Sequence, residues 1–188
     1  ILDKMPKAVR RDPHWYDVRL EAATLQSAPK EEFDALLDEG LEAHPLYLPI
    51  HFRGAWANSP RWGGSLEALA SFVERTVALT RKRMGDTMYA RLHWAESGRD
   101  MFRSGQVDWG RMKLAFERIL IDAPAPWNLN YFARFPCQAG DFATLAALLP
   151  RLEGQVVLPV WVNMEYYSKC KARAERPQRL SSSRSISR

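Results

Sequence analysis

The sequence predicts an all-α fold in which antiparallel helical hairpins stack as a tetratricopeptide-like, α-solenoid-like array. Apolar residues recur at spacings of three and four, and no segment alternates apolar and polar residues as a half-buried strand would. Proline and glycine divide the 188 residues into short segments, and short connections make consecutive helices antiparallel neighbours. No strict sequence repeat can be aligned, so any repetition lies in the structure and not in the sequence.

Four helices are predicted in the first half of the chain, at residues 13–27, 29–44, 46–57 and 65–84. Asp12-Pro13 has the order of an N-cap residue and a first-turn proline, and Ser65 precedes the most regular apolar pattern of the sequence. Pro49 must lie in the first turn of the third helix, where a missing N–H costs least.

Five helices are predicted in the second half, at residues 87–102, 108–123, 127–138, 141–152 and 158–173. Gly85 ends the preceding helix and Asp86 is placed to cap the next one. The last helix is the least regular, because Val156, Val157, Val160 and Val162 are β-branched.

The net charge of +5 is unevenly distributed. Residues 169–188 contain seven Lys and Arg and one Glu, so the preceding 168 residues carry a net charge of −1. The sequence therefore predicts an N-terminal extension (1–11), a single helical domain (12–168) and a basic, Ser- and Arg-rich tail (169–188) that is disordered on its own.

Cys137 and Cys170 are too few for a disulfide framework, and we expect both thiols to be reduced. No stretch approaches the roughly 20 apolar residues of a membrane span, and the start of the chain lacks the hydrophobic run of a signal peptide. These features predict a cytoplasmic protein. The chain begins with Ile1 rather than methionine, so the presence of a preceding segment stays open.

Several motifs together resemble a known family. They are Asp12-Pro13-His14-Trp15-Tyr16, Pro60-Arg61-Trp62-Gly63-Gly64-Ser65, Tyr89-Ala90, Trp109 and Cys137-Gln138-Ala139-Gly140-Asp141. Over roughly residues 12–165 the sequence is similar to a family of Gram-negative bacterial proteins that share a domain of unknown function with tetratricopeptide-like helical pairs. The resemblance implies that fold and a bacterial origin, and it carries no catalytic residues to this chain.

No motif predicts catalysis, a cofactor or a metal. The four histidines are not spaced to place two on one helical turn, and no Gly-x-Ser-x-Gly nucleophile motif is present. The Gly63-Gly64-Ser65 segment could hold an anion at a helix N-terminus, but we favour a structural role for its glycines. A small hydrolase or transferase with a site near the Arg61–Ser65 loop is the alternative.

Two sets of aromatic and polar residues are candidate partner-binding surfaces, because Trp, Tyr and Arg dominate the energetics of protein interfaces. The first set is Tyr47, His51, Arg53, Trp56, Arg61 and Trp62, and the second is Trp127, Asn128, Asn130 and Arg134. Stacked helical hairpins also provide concave surfaces for peptides.

The sequence thus predicts a non-enzymatic protein- or peptide-binding module, such as an adaptor, a chaperone-like protein or an immunity protein. The partner and the oligomeric state stay open. Nucleic-acid binding through the basic tail is a further alternative, but no aromatic residue follows Tyr167 to stack on bases, and a solvated terminus is favoured.

Overall fold

The structure is a computed structural model that describes residues 11–96 and 100–182, with side chains as far as residue 176. Within these residues the secondary structure is helical and no strand occurs, which confirms the predicted all-α class. The predicted N-terminal extension lies outside the described residues apart from Arg11. None of the described helices combines the length and apolar character needed to cross a membrane.

The chain divides into two compact units, Ile1–Gly98 and Arg99–Arg188, where the sequence predicts one domain over residues 12–168. The helices of the N-terminal unit are α1 (Pro13–Leu25), α2 (Lys30–Ala43), α3 (Leu48–Asn58), α4 (Leu66–Met84) and α5 (Thr87–Glu96). Consecutive helices pack against each other, and α3 also contacts both α1 and α5. The largest fully buried side chains of this unit are Leu20, Leu41, Ile50, Leu69, Met88 and Leu92.

The helices of the C-terminal unit are α6 (Trp109–Asp122), α7 (Pro126–Ala139), α8 (Phe142–Leu148), α9 (Leu158–Trp161) and α10 (Met164–Ser182). A 3₁₀ turn, Leu149–Leu152, follows α8. Helix α7 is central, since it contacts each of the other four helices. The largest fully buried side chains here are Met112, Phe116, Ile119, Leu145, Leu152 and Trp161.

The helix starts follow from local capping. The Asp12 carboxylate accepts a hydrogen bond from the His14 N–H at 2.9 Å, and the Ser65 hydroxyl accepts one from the Ala68 N–H at 3.0 Å. Each bond satisfies a backbone donor that has no partner inside the helix. The predicted N-caps at Asp12 and Ser65 are therefore confirmed.

The predicted helix over residues 158–173 is divided in two. Val162 adopts a φ of +70° and a ψ of −52°, which ends α9 after Trp161 and redirects the chain before α10. A positive φ is rare for any β-branched residue, so neither helical periodicity nor propensity could locate this break. Of the predicted helix over residues 87–102, the structure describes Thr87–Glu96 as helix and residues 100–102 as turn.

The predicted tail begins inside a helix. Helix α10 continues from Met164 to Ser182, and Cys170 and Ala174 on it are buried. The prediction of a disordered segment from residue 169 is therefore wrong for residues 169–182. The composition of the tail is polar overall, so it does not indicate that Cys170 and Ala174 are buried. Residues 183–188 lie outside the described residues.

The cysteines form a disulfide, Cys137–Cys170, and the expectation of reduced thiols is corrected. Cys137 is near the end of α7, and α10 packs back on α7, so the two Cα atoms lie 5.7 Å apart. That separation falls within the range a disulfide bridges. Neither helix could be placed against the other from the sequence.

Candidate functional sites

The indole rings of Trp56, which is half-buried, and Trp62, which is exposed, form an aromatic pair in the N-terminal unit. Their centroids lie 4.4 Å apart with an interplanar angle of 32°, and Trp62 is 53% exposed. Both residues belong to the first predicted surface, and the structure brings them together. Large aromatic surface left in contact with water is a common mark of an interaction site.

The loop after Trp62 is held by its backbone. Gly63 has a φ of +92°, in the left-handed region that glycine adopts at little cost. A Cβ on Gly64 would lie 2.1 Å from the carbonyl oxygen of Asn58, so only glycine allows this approach. With Ser65 capping α4, the structural role expected for this segment is confirmed, and the Ser65 oxygen is already occupied by the Ala68 N–H.

Two clefts adjoin the Trp56 ring. One, of about 290 Å³, is lined mainly by small and apolar residues, with both tryptophans among them. Its apolar lining residues include Ala23, Ala28, Phe33, Trp56, Ala57, Trp62, Gly63 and Ala68, and its polar ones are Thr24, Ser27, Lys30, Asp34 and Asn58. The other, of about 340 Å³, is lined by Asp17, Pro49, Phe52, Arg53, Trp56 and Glu96. Trp56 therefore lines both a mainly apolar cleft and a second cleft with three charged side chains, which we call the charged cleft.

Glu96 gives the charged cleft an unusual carboxyl group. Burial raises its pKa, and the opposing effects of a hydrogen bond from Ser59 and of the Arg61 charge do not cancel this. The acid is therefore more easily protonated than a surface glutamate.

The other members of the first predicted set have internal partners. His51 is buried: its Nε2 donates to the Pro45 carbonyl at 2.8 Å, and its Nδ1 lies 3.3 Å from the Thr76 hydroxyl. Burial lowers the pKa of His51, so the ring favours its neutral form. The prediction that His51 belongs to a binding surface is wrong, because α3 turns this side chain into the core.

Arg53 and Tyr47 are also engaged, whereas Arg61 is exposed. The Arg53 Nε donates to Asp17 at 2.7 Å and its Nη2 donates to Glu21 at 2.9 Å. The Tyr47 hydroxyl lies 3.4 Å from Nδ1 of His14. Arg53 thus lines the charged cleft as an ion-paired group rather than as an uncommitted cation.

The second predicted set is also mainly structural. The buried Asn130 amide donates to the carbonyls of Pro126 and Gln155, both at 2.8 Å. Its oxygen accepts from the Val157 N–H and the Trp161 indole, both at 2.9 Å. No bonding capacity remains for a peptide backbone, so the proposed binding role of Asn130 is corrected.

Asn128 and Trp127 differ in their exposure. The Asn128 amide donates to the Ala123 carbonyl at 2.9 Å, which occupies it at the start of α7. Trp127 is 45% exposed, and its ring contacts that of Tyr131 edge-on at 5.4 Å. Trp127 is thus the more exposed of the two, and Asn128 is half-buried with its amide N–H already bonded.

Arg134, the last member of the second set, lines a cleft of about 300 Å³ in the C-terminal unit. The described lining residues are Asp100, Arg103, Arg134, Gln138, Val162, Asn163 and Tyr166. The Arg134 Nη1 donates to the Val160 carbonyl at 2.6 Å, and its guanidinium lies 6.0 Å from the Tyr131 ring centre. Gln138 is absent from the predicted set, although it lies one helical turn after Arg134 on the same face of α7.

A hydrogen-bonded cluster surrounds Asp141 at the start of α8. One carboxylate oxygen accepts from the Trp109 indole at 3.0 Å and from the Thr144 hydroxyl at 2.6 Å, and Lys113 lies 3.4 Å away. Partial burial raises the pKa of Asp141, but these hydrogen bonds and the Lys113 charge outweigh it and bring the pKa to about 2. Such a weak base is poorly suited to proton transfer near neutral pH.

Comparison with known proteins gives no relative. The chain matches no protein-family model, no curated protein and no solved structure. The resemblance to the Gram-negative family therefore stays a prediction. Within residues 11–96 and 100–182, no group of three or more His, Cys, Asp or Glu side chains is arranged to hold a metal ion.

Proposed function

We propose that the chain is a non-enzymatic peptide-binding module that takes up its partner at the Trp56–Trp62 pair. The observation that carries this proposal is the 53% exposure of Trp62 beside a mainly apolar cleft of about 290 Å³. A bound peptide could place an apolar side chain in that cleft and cover the indole. Such contacts supply much of the binding energy in protein interfaces.

The packing of the N-terminal unit supports a tetratricopeptide-like arrangement. In such arrays the first helix of each hairpin contacts the first helix of the next hairpin as well as its own partner. Helix α3 contacts α1, α2, α4 and α5, which is the pattern expected of a middle repeat. On this interpretation the Trp56 side chain belongs to the first helix of the second hairpin.

The disulfide favours an oxidising compartment over the cytoplasmic location that the sequence predicts. Disulfides persist in secreted proteins and in the bacterial periplasm, whereas cytosolic thiols are kept reduced. If the resemblance to Gram-negative proteins holds, the periplasm is the compartment that fits both features.

Selection of ligands from a random peptide display library on the full chain tests the proposal. We expect enriched peptides whose affinity falls about tenfold or more for Trp62→Ala and is unchanged for Trp127→Ala. Trp127 is a matched control, because it is a tryptophan of similar exposure, at 45%, in the other unit. Equal binding by wild type and Trp62→Ala, or a failure to enrich any peptide, would contradict the proposal.

A further inference from the structure

The cleft lined by Arg134 and Gln138 combines charge of both signs with hydrogen-bonding side chains. Among its described lining residues are two guanidinium groups, one carboxylate, two side-chain amides and one phenol. The net charge of this set is +1, which favours an anionic group without excluding a cationic one. A doubly charged phosphate suits it poorly, because the Asp100 carboxylate shares the cleft.

Two buried polar atoms in this wall have no hydrogen-bond partner among the described residues, namely Arg134 Nε and Gln138 Oε1. One is a donor and the other an acceptor. Buried polar atoms are nearly always paired, so two exceptions in one wall indicate that the unliganded arrangement is not fully satisfied. Both atoms are covered, so a ligand reaches them only after a side chain of the wall rotates.

The backbone at the opposite side of the cleft is strained. Val162 has a φ of +70°, which costs a β-branched residue free energy and persists only where the surroundings impose it. Strain of this kind concentrates at ligand sites. It places Asn163 and Tyr166 at the cleft, where the Asn163 side chain caps the start of α10 by accepting from the Tyr166 N–H at 2.8 Å.

The disulfide holds the two walls in place. Cys137 is next to Gln138 on α7, and Cys170 is one helical turn after Tyr166 on α10. The covalent link therefore fixes the spacing of the two helix backbones that carry the cleft's side chains. Binding then has to order side chains but not the helices, which lowers its cost in free energy.

We propose that this cleft binds an α-carboxylate flanked by an N–H group, supplied by a free amino acid or by the C-terminal residue of a peptide. The carboxylate pairs with Arg103 and Arg134, because guanidinium groups bind carboxylates with two parallel hydrogen bonds. The ligand N–H groups donate to Asp100 and to the Gln138 oxygen. A volume of about 300 Å³ suits one residue. This site is separate from the Trp56–Trp62 pair and does not depend on its function.

Titration calorimetry on the full, oxidised chain tests this proposal. The probes are the twenty free amino acids, their amides and N-acetyl derivatives, tripeptides with a free or an amidated C-terminus, and inorganic phosphate. Binding of free amino acids alone identifies a metabolite site, and binding of N-acetyl derivatives and free-acid tripeptides identifies a C-terminus site. Both results support the proposal, which requires the amides to bind at least tenfold more weakly.

Two substitutions locate the site. We expect Arg103→Ala, at an exposed position, and Arg134→Gln each to weaken binding about tenfold or more, and Arg151→Ala, an exposed arginine outside the cleft, to leave it unchanged. Because Arg103 is exposed, Arg103→Ala tests the site even if Arg134→Gln fails to fold. The proposal is overturned if no carboxylate probe binds at millimolar concentration, if amides or inorganic phosphate bind as well as acids, or if Arg103→Ala binds like wild type.

Discussion

Cys137 and Cys170 covalently join α7 to α10, although 33 positions separate them in the chain. A cross-link of this span removes conformational entropy from the unfolded chain, and the loop-entropy model gives about 3–4 kcal/mol. We expect the Cys137→Ser, Cys170→Ser double variant to lose about this much free energy of unfolding in the C-terminal unit.

Hydrogen exchange resolved by peptide mass spectrometry measures that loss separately in the two units. Protection should fall over residues 100–176 and stay unchanged over residues 11–96. Chain purified from an oxidising compartment should also contain no thiol that reacts with a thiol reagent after denaturation. Two reactive thiols, or unchanged protection in the double variant, would contradict the disulfide's role.

Gly63 and Gly64 are adjacent glycines with different reasons to be glycine. Gly63 has a left-handed backbone and open space where a Cβ would lie, whereas a Cβ on Gly64 would meet the Asn58 carbonyl at 2.1 Å. We expect Gly63→Ala to cost about 1–2 kcal/mol of stability, and Gly64→Ala to cost more, about 3 kcal/mol, because backbone must move. Urea denaturation measures both, and equal losses would argue against the close approach.

The parts of the fold that the sequence predicts are those governed by neighbouring residues. Asp12 and Ser65 cap helices through bonds that span two or three positions, so the pattern alone locates them. The apolar spacing of α4 likewise suffices to predict its length. These elements can be predicted without knowing which other helices pack against them.

The features that the sequence does not predict depend on distant contacts. Asn130 looks like a surface amide next to Trp127, yet its four hydrogen bonds include three to residues 25–31 positions away. The disulfide required α10 to fold back on α7. Of the first candidate surface, Trp62 and Arg61 are exposed and Trp56 is half-buried, whereas His51 lies in the core, because spacing does not reveal which side of α3 faces the core.

His51 should make the N-terminal unit sensitive to mild acid. Burial lowers its pKa in the folded chain, so the unfolded chain binds a proton more readily. The neutral ring stabilises the folded chain fully above the pKa of about 6.5 that His51 has in the unfolded chain. This stabilisation is lost as the pH falls from there through the pKa of the folded chain. We expect the urea midpoint of the N-terminal unit to decrease in wild type as the pH falls below about 6.5, and His51→Gln to remove this dependence.

His14 provides the matched control for that measurement, because its side chain is 66% exposed. We expect His14→Gln to keep the wild-type pH profile. A profile of His51→Gln that still follows wild type between pH 7 and pH 5 would mean that another group is responsible for the acid sensitivity.

Asp141 should also make the stability of the C-terminal unit depend on pH, but in a more acidic range than His51 does in the N-terminal unit. Its pKa of about 2 lies below the ordinary value of 3.8, and the difference corresponds to about 2 kcal/mol. Because the folded pKa is the lower one, this stability is fully present above the ordinary value and is lost as the pH falls from about 4 to about 2. Asparagine can still cap α8, so Asp141→Asn removes the charge with little change to the helix start.

We therefore expect Asp141→Asn to lower the free energy of unfolding by about 2 kcal/mol at pH 7 and to have little effect at pH 2. Urea denaturation at a series of pH values measures this difference. Asp122→Asn is the control, because Asp122 is 45% exposed and its ion pair is with Arg118 one turn away, which makes a loss of under about 0.5 kcal/mol the expected result. If the two variants lost equal stability at pH 7, the hydrogen bonds from Trp109 and Thr144 would not favour the ionised carboxylate, and the cluster would contribute through helix capping alone.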